Sequence, residues 1–106
     1  MRFMMWVCVD ESRLDTPGVP PIEEWVAEMD ARGIRVQGSR FRPVSDATTL
    51  WPRGGTYVSD GPFAETTEKI DAFDILECAD MAEAIEVAAK HPAAMLGAVE
   101  LRPVWE

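Results

Sequence analysis

The chain has 106 residues, 47% of them hydrophobic, enough to bury one core and too apolar for a disordered segment, so a single domain over residues 1–106 is expected. Nineteen acidic residues against ten basic ones leave a net charge of −9, which argues against nucleic acid as a partner because phosphate recognition needs clustered cations. The apolar opening, Phe3–Val9, stops at Asp10 and Glu11; it is too short to span a membrane and no cleavage pattern follows, so the expectation is a cytoplasmic protein with no membrane partner.

Arg2–Val9 is short and rich in aromatic and β-favouring residues, which predicts a buried strand. A loop with acids, Gly18 and prolines follows. Pro21 suits the first turn of a short helix whose apolar stripe is Ile22, Trp25 or Val26, and Met29, with Glu23 and Glu24 at its start and Arg32 in its last turn. Gly33 stops it. Ile34–Phe41 alternates as a half-buried strand, Ile34 and Val36 inward and Arg35 and Gln37 outward, with a bulge expected at Gly38.

Residues 48–51 and 56–59 flank Pro52-Arg53-Gly54-Gly55 and predict a hairpin. Lys69–Cys78 supplies another strand, with Asp71, Asp74 and Glu77 interleaved among apolar residues. Asp80 and Glu83 form an Asp version of a capping box for a second helix, whose apolar face is Met81, Ala84, Ile85 and Ala88 and which stops near His91-Pro92. Ala98–Trp105 is the last strand, placed at an edge by Pro103. Cys8 and Cys78 lack metal-ligand spacing and read as buried thiols in a reducing compartment, a disulfide being the alternative if their strands are neighbours.

Two strand–helix–strand halves with a hairpin between them define an α+β, ferredoxin-like βαββαβ fold with an inserted β-hairpin. Both helices are expected on one face of an antiparallel sheet. The other face, with Trp6 and Phe73 available to it, calls for a second copy of the chain, so a homodimer is expected.

The run from Asp60-Gly61-Pro62-Phe63-Ala64-Glu65-Thr66 through Glu100-Leu101-Arg102-Pro103 closely resembles the DGPF-domain branch of the YCII-related proteins, and Arg2–Val9 resembles that family's first strand. The resemblance implies a dimeric α/β barrel of ferredoxin-like protomers whose sheets face each other, with a cleft beside them. It also implies a neighbourhood of sigma-factor regulation. The wider group includes proteins credited with a His–Asp pair and with elimination chemistry on chlorinated aromatic rings. This chain departs from that pair: its first helix carries no His, and His91 stands where those relatives place an acid.

Asp60 has two readings. Its carboxylate caps the following turn while Gly61 bends, Pro62 fixes the exit and Phe63 anchors the loop in the core; or it lies in the cleft as a general base. Glu65 flanks the same loop and is a partner for a shared proton, or else a solvated loop residue. His91, the one histidine, sits at a helix C-terminus, which favours its charged form, and otherwise caps that helix's last carbonyls. Arg40 and Arg42, on alternate residues, suit a small anionic or aromatic ligand or simply a wet strand face. No motif calls for a metal or an organic cofactor. Together these give a small-molecule acid/base enzyme of elimination or isomerisation type, using Asp60 in a cleft lined by Trp6, Arg40 and Phe63. The alternative is a non-catalytic dimer that binds a ligand or a protein partner.

Overall fold

Alternation decides the first strand, β1 (Arg2–Asp10): Phe3, Met5, Val7 and Val9 are buried, and Met4, Trp6 and Cys8 between them are half-buried on the opposite face. The computed structural model describes residues 1–55, 57–63 and 67–106, so Glu65 lies outside the described residues. Helix α1 spans Ile22–Ala31, β2 Arg35–Arg40, β3 Thr48–Trp51, β4 Tyr57–Asp60, β5 Glu68–Glu77, α2 Met81–Ala89 and β6 Gly97–Pro103. Strands β2-β5-β1-β6 form one antiparallel sheet in that order, and β3 and β4 form a separate two-stranded sheet. This is the ferredoxin-like order with a hairpin inserted between β2 and β5.

The core lies between the helices and one sheet face. Trp25 and Met29 of α1 and Ala84, Val87 and Ala88 of α2 pack with Phe3, Met5, Val7 and Leu76. The Trp25 indole N–H donates to the Val87 carbonyl at 3.0 Å and ties the helices together. Asp80 caps α2 by accepting the Glu83 N–H, and Glu83 reaches back to accept the Ala79 N–H, both at 2.9 Å. Gly33 ends α1 with φ +69°, the left-handed region that other residues resist. The buried face of α2 is turned from the one expected: Val87 is buried, whereas Ile85 is 55% exposed. Both cysteines are free, Cys78 buried and Cys8 half-buried on the face away from the helices.

The second strand departs from its expected register. The bulge falls between Arg35 and Gln37, not at Gly38, so Val36 is 49% exposed while Arg35 turns toward the helices with Leu76 as its partner. Gly38 is there for a different reason. It pairs with Asp74 on the helix-side face, where a Cβ would collide with the Asp74 carboxylate and the Arg35 guanidinium. The buried ion pair therefore requires the glycine.

The helices are short for the strands they cover. Ten residues of α1 span about 15 Å, and nine residues of β1 span about 30 Å. The far half of the sheet is roofed instead by the 11–21 segment, which opens with a 3-10 turn at Glu11–Arg13, and by a second 3-10 turn, Pro92–Met95. Backbone of that kind packs less tightly than a helix, and a cavity remains beneath it.

Candidate active site

The cavity holds about 860 Å³, within the range of small-molecule sites. Val7 and Val9 of β1 and Ala72 and Asp74 of β5 form its floor, Ile22 and Val26 of α1 one wall, and Leu14, Val19 and Pro20 its roof. Arg35, Arg40, Arg42 and His91 supply further polar groups. The deeper lining is mainly aliphatic, so the buried Asp74 carboxyl acts in a low dielectric, whereas Arg40 and Arg42, together with Glu11, Lys69 and Asp71, add charge of both signs around it.

Asp74 is the most deeply placed charge, only 5% exposed. Its Oδ1 accepts the Arg35 Nε–H at 2.8 Å, and Arg35 also approaches Asp30 at the end of α1 at 3.8 Å. Burial pushes the Asp74 carboxyl above the usual carboxylate range; the Arg35 bond and charge oppose this without cancelling it, and Asp30 adds to the rise. Asp74 Oδ2 has no hydrogen-bond partner among the described residues and is not sealed from accessible space. The group is thus a carboxylate with one oxygen held and the other available, on the wall of a cavity.

His91 is also buried, 7% exposed. Its ring meets Trp25 edge-on at 4.7 Å, and its Nδ1 accepts the Ala93 N–H at 3.0 Å. The His91 side chain therefore caps the start of the 3-10 turn and not the last carbonyls of α2, as its sequence position suggested; only its backbone N–H donates there, to Ala88 O at 3.0 Å. Nor is it held charged by the helix end: burial lowers its pKa from 6.5 to about 4, and the ring is neutral at physiological pH.

The expected cleft is assembled differently. Arg40 and Arg42 line the cavity rim, with side chains 84% and 87% exposed; Arg40 approaches Asp71 at 3.8 Å, and Arg42 Nε–H donates to Asp46 at 3.0 Å. Trp6 projects from the opposite sheet face and does not line it. Asp60 ends β4, exposed, and its carboxylate caps no turn among the described residues. The turn is made instead by Gly61, at φ +100°, whose N–H donates to Ala47 O at 2.7 Å and whose carbonyl accepts the Thr49 hydroxyl at 2.9 Å. Phe63 is not anchored in the core. It is 70% exposed and rests against Trp51 at 5.0 Å. Asp74 was not among the expected site residues; the fold brings it together with Arg35.

The ferredoxin-like fold thus holds a mainly aliphatic cavity with a few charged groups under its helix layer. The chain belongs to the YCII-related family, whose domain model matches residues 1–106. An uncharacterized protein of Rhizobium meliloti (strain 1021) is 39% identical over 69 residues, 62% of this chain and 56% of that protein. The match thus spans little more than half of the relative's length. Among solved structures, the 5-chloro-2-hydroxyhydroquinone dehydrochlorinase of Burkholderia phenoliruptrix AC1100, in complex with 2,5-dihydroxybenzoquinone, superposes with a TM-score of 0.53 at 15% identity. That superposition covers all of this chain and 94% of the other, and it shows the shared fold. No helix among the described residues is long and apolar enough to cross a membrane.

Because the folded state disfavours the charged form of His91, the unfolded chain binds more protons between pH 6.5 and about 4. Stability contributed by neutral His91 is complete above that window and lost through it, by about 3 kcal/mol at the lower end. Asp74 acts in the opposite sense: its raised pKa favours the fold at low pH, and that share is lost as pH rises through its folded value. Urea titrations across the window on wild type and His91→Asn, which keeps an acceptor for the Ala93 N–H, isolate the histidine. The variant is expected to lose less stability on acidification, by about 3 kcal/mol; parallel curves would contradict a buried neutral His91.

Proposed function

We propose that this protein is a small-molecule enzyme of acid/base type, acting in the cavity beneath α1 with Asp74 as the proton-transferring group. The observation that carries the reading is a carboxyl buried in an aliphatic cavity with a raised pKa, one oxygen held by Arg35 and the other available. A carboxyl tuned upward accepts a proton from carbon or oxygen more readily than an ordinary one, and returns it. In the proposed step Asp74 Oδ2 takes a proton from a ligand carbon, and the electron pair moves onto a conjugated carbonyl. Reprotonation at another carbon gives an isomer; expulsion of an anion from the adjacent carbon gives elimination. Arg35, Arg40 and Arg42 favour a ligand that carries or develops negative charge.

The fold neighbour's ligand, 2,5-dihydroxybenzoquinone, is a suitable probe: the Asp74 carboxyl protonates an enolate ring carbon to give a CH2 keto tautomer, and return of either of its protons to Asp74, with the electron pair moving back onto the conjugated carbonyl, exchanges the ring hydrogen. The test is exchange of its ring protons with D2O, followed by NMR. Wild type is expected to accelerate exchange over buffer, Asp74→Asn to lose at least about a hundredfold of that acceleration, and Asp60→Asn to retain it. Full loss in Asp60→Asn with retention in Asp74→Asn would move the chemistry to the hairpin loop. Saturable binding without exchange would favour the non-catalytic binding module.

The open sheet face supports a second part of the reading, a homodimer. Met4, Trp6, Phe73 and Ile75 share that face, no helix among the described residues covers them, and the hairpin exposes Leu50 and Val58 by 59% and 53%. Sedimentation equilibrium at micromolar concentration is expected to give twice the 11.8 kDa chain mass for wild type and a shift to monomer for Trp6→Glu. A wild-type monomer would contradict it.

A further inference from the structure

His91 has a second nitrogen whose state the backbone dictates. The Ala93 N–H is a donor and can only be met by an Nδ1 lone pair, so in the neutral ring the proton sits on Nε2. The Trp25 edge contact and the Pro92 that follows fix the ring further. Nε2 has no protein partner among the described residues and is not closed off from accessible space, although the residue as a whole is buried. The space that His91 borders is the large cavity; the smaller hollow between α2 and β6 is lined without it. The Nε2–H is thus an accessible donor with no acceptor among the described residues, and a ligand oxygen can take it up.

We infer that His91 is a fixed, neutral Nε2–H donor that binds an oxygen of the ligand, a carbonyl, enolate or phenolate, across the cavity from the carboxylate. This rests on the cavity being the ligand site, as proposed above, and it deepens that reading by defining the substrate class. The ligand carries an acceptor oxygen at the His91 end and its transferable proton at the Asp74 end. A neutral donor at a developing oxyanion is effective in such a site because it is pre-oriented and gives up no proton of its own. His91 is accordingly no general base: the one lone pair of its neutral ring is spent on Ala93.

Two variants separate the two nitrogens. In His91→Asn the side-chain oxygen stands near the Nδ1 position and keeps the Ala93 bond, but the donor at Nε2 is gone. In His91→Gln the amide nitrogen stands near Nε2 and keeps a donor there, but the cap is lost. The probe is 4-nitrophenolate, a plain oxyanion, titrated in mildly alkaline buffer and read by its visible absorption. The expected result is binding weakened about tenfold or more in His91→Asn at near-wild-type stability, and binding largely kept in His91→Gln at reduced stability.

Equal affinity for wild type and His91→Asn, or no saturable binding by wild type, would overturn the inference. Long-range ¹⁵N NMR of the one histidine in the chain adds a ligand-free check: Nε2–H is expected, and a proton on Nδ1 overturns the donor outright. Wild type that binds the phenolate but exchanges no ring protons would keep the donor and remove the enzyme reading.

Discussion

The mismatch between strand and helix length organises this molecule. Strands of nine and ten residues are about twice as long as helices of ten and nine. One half of the sheet is therefore covered by tightly packed helix, with Phe3, Met5, Met29, Leu76 and Val87 fully buried. The other half is covered by loop and 3-10 turns, and carries the cavity. Lengthening α1 by two turns would fill that space with side chains, so the shortness of the helix is what leaves the cavity open.

Into this space the fold places a charge that it must then manage. Removing one partner of a buried ion pair costs about 3–5 kcal/mol, whereas the intact pair adds little net stability. Asp74 is tolerated because Arg35 reaches it from β2, and Arg35 reaches it because the strand bulges before Gln37 and Gly38 leaves room. Three features of β2 thus serve one carboxylate. A core without Asp74 would need none of them, which sets this residue apart from the other acids of a strongly acidic chain. The His91 end of the cavity follows the same pattern: a polar ring buried, one nitrogen held by backbone and the other left to the cavity.

Much of the fold was legible in the sequence. The β-favouring run of β1, the Asp80–Glu83 cap, Gly33 as a helix stop and the Gly-rich hairpin each have a local physical cause that needs no tertiary context. Arg35 and Asp74 were not legible in that way. A strand reverses its inward face when a bulge shifts its register, and the bulge at Val36 has no glycine or proline to mark it. Asp74 did carry a signal: it shares alternation with Ala72 and Leu76, both facing the helices, and an acid on an inward parity is an anomaly worth a partner. Ile85 and Phe63 mislead in the opposite direction, since hydrophobicity alone does not say whether a side chain meets the core. The Asp60-Gly61-Pro62-Phe63 motif stands out in the sequence because of its turn, and its turn is made by Gly61 and Thr49.

The central claim is that ligand binds beneath α1, and its location in solution tests that most directly. Backbone amide shift mapping with 2,5-dihydroxybenzoquinone reports on both regions in one experiment. Perturbations centred on Val9, Val26, Ala72, Asp74 and Ala93 are predicted, with the hairpin unchanged. Perturbations confined to Thr49, Asp60, Gly61 and Phe63 would contradict the account and place binding at the hairpin loop.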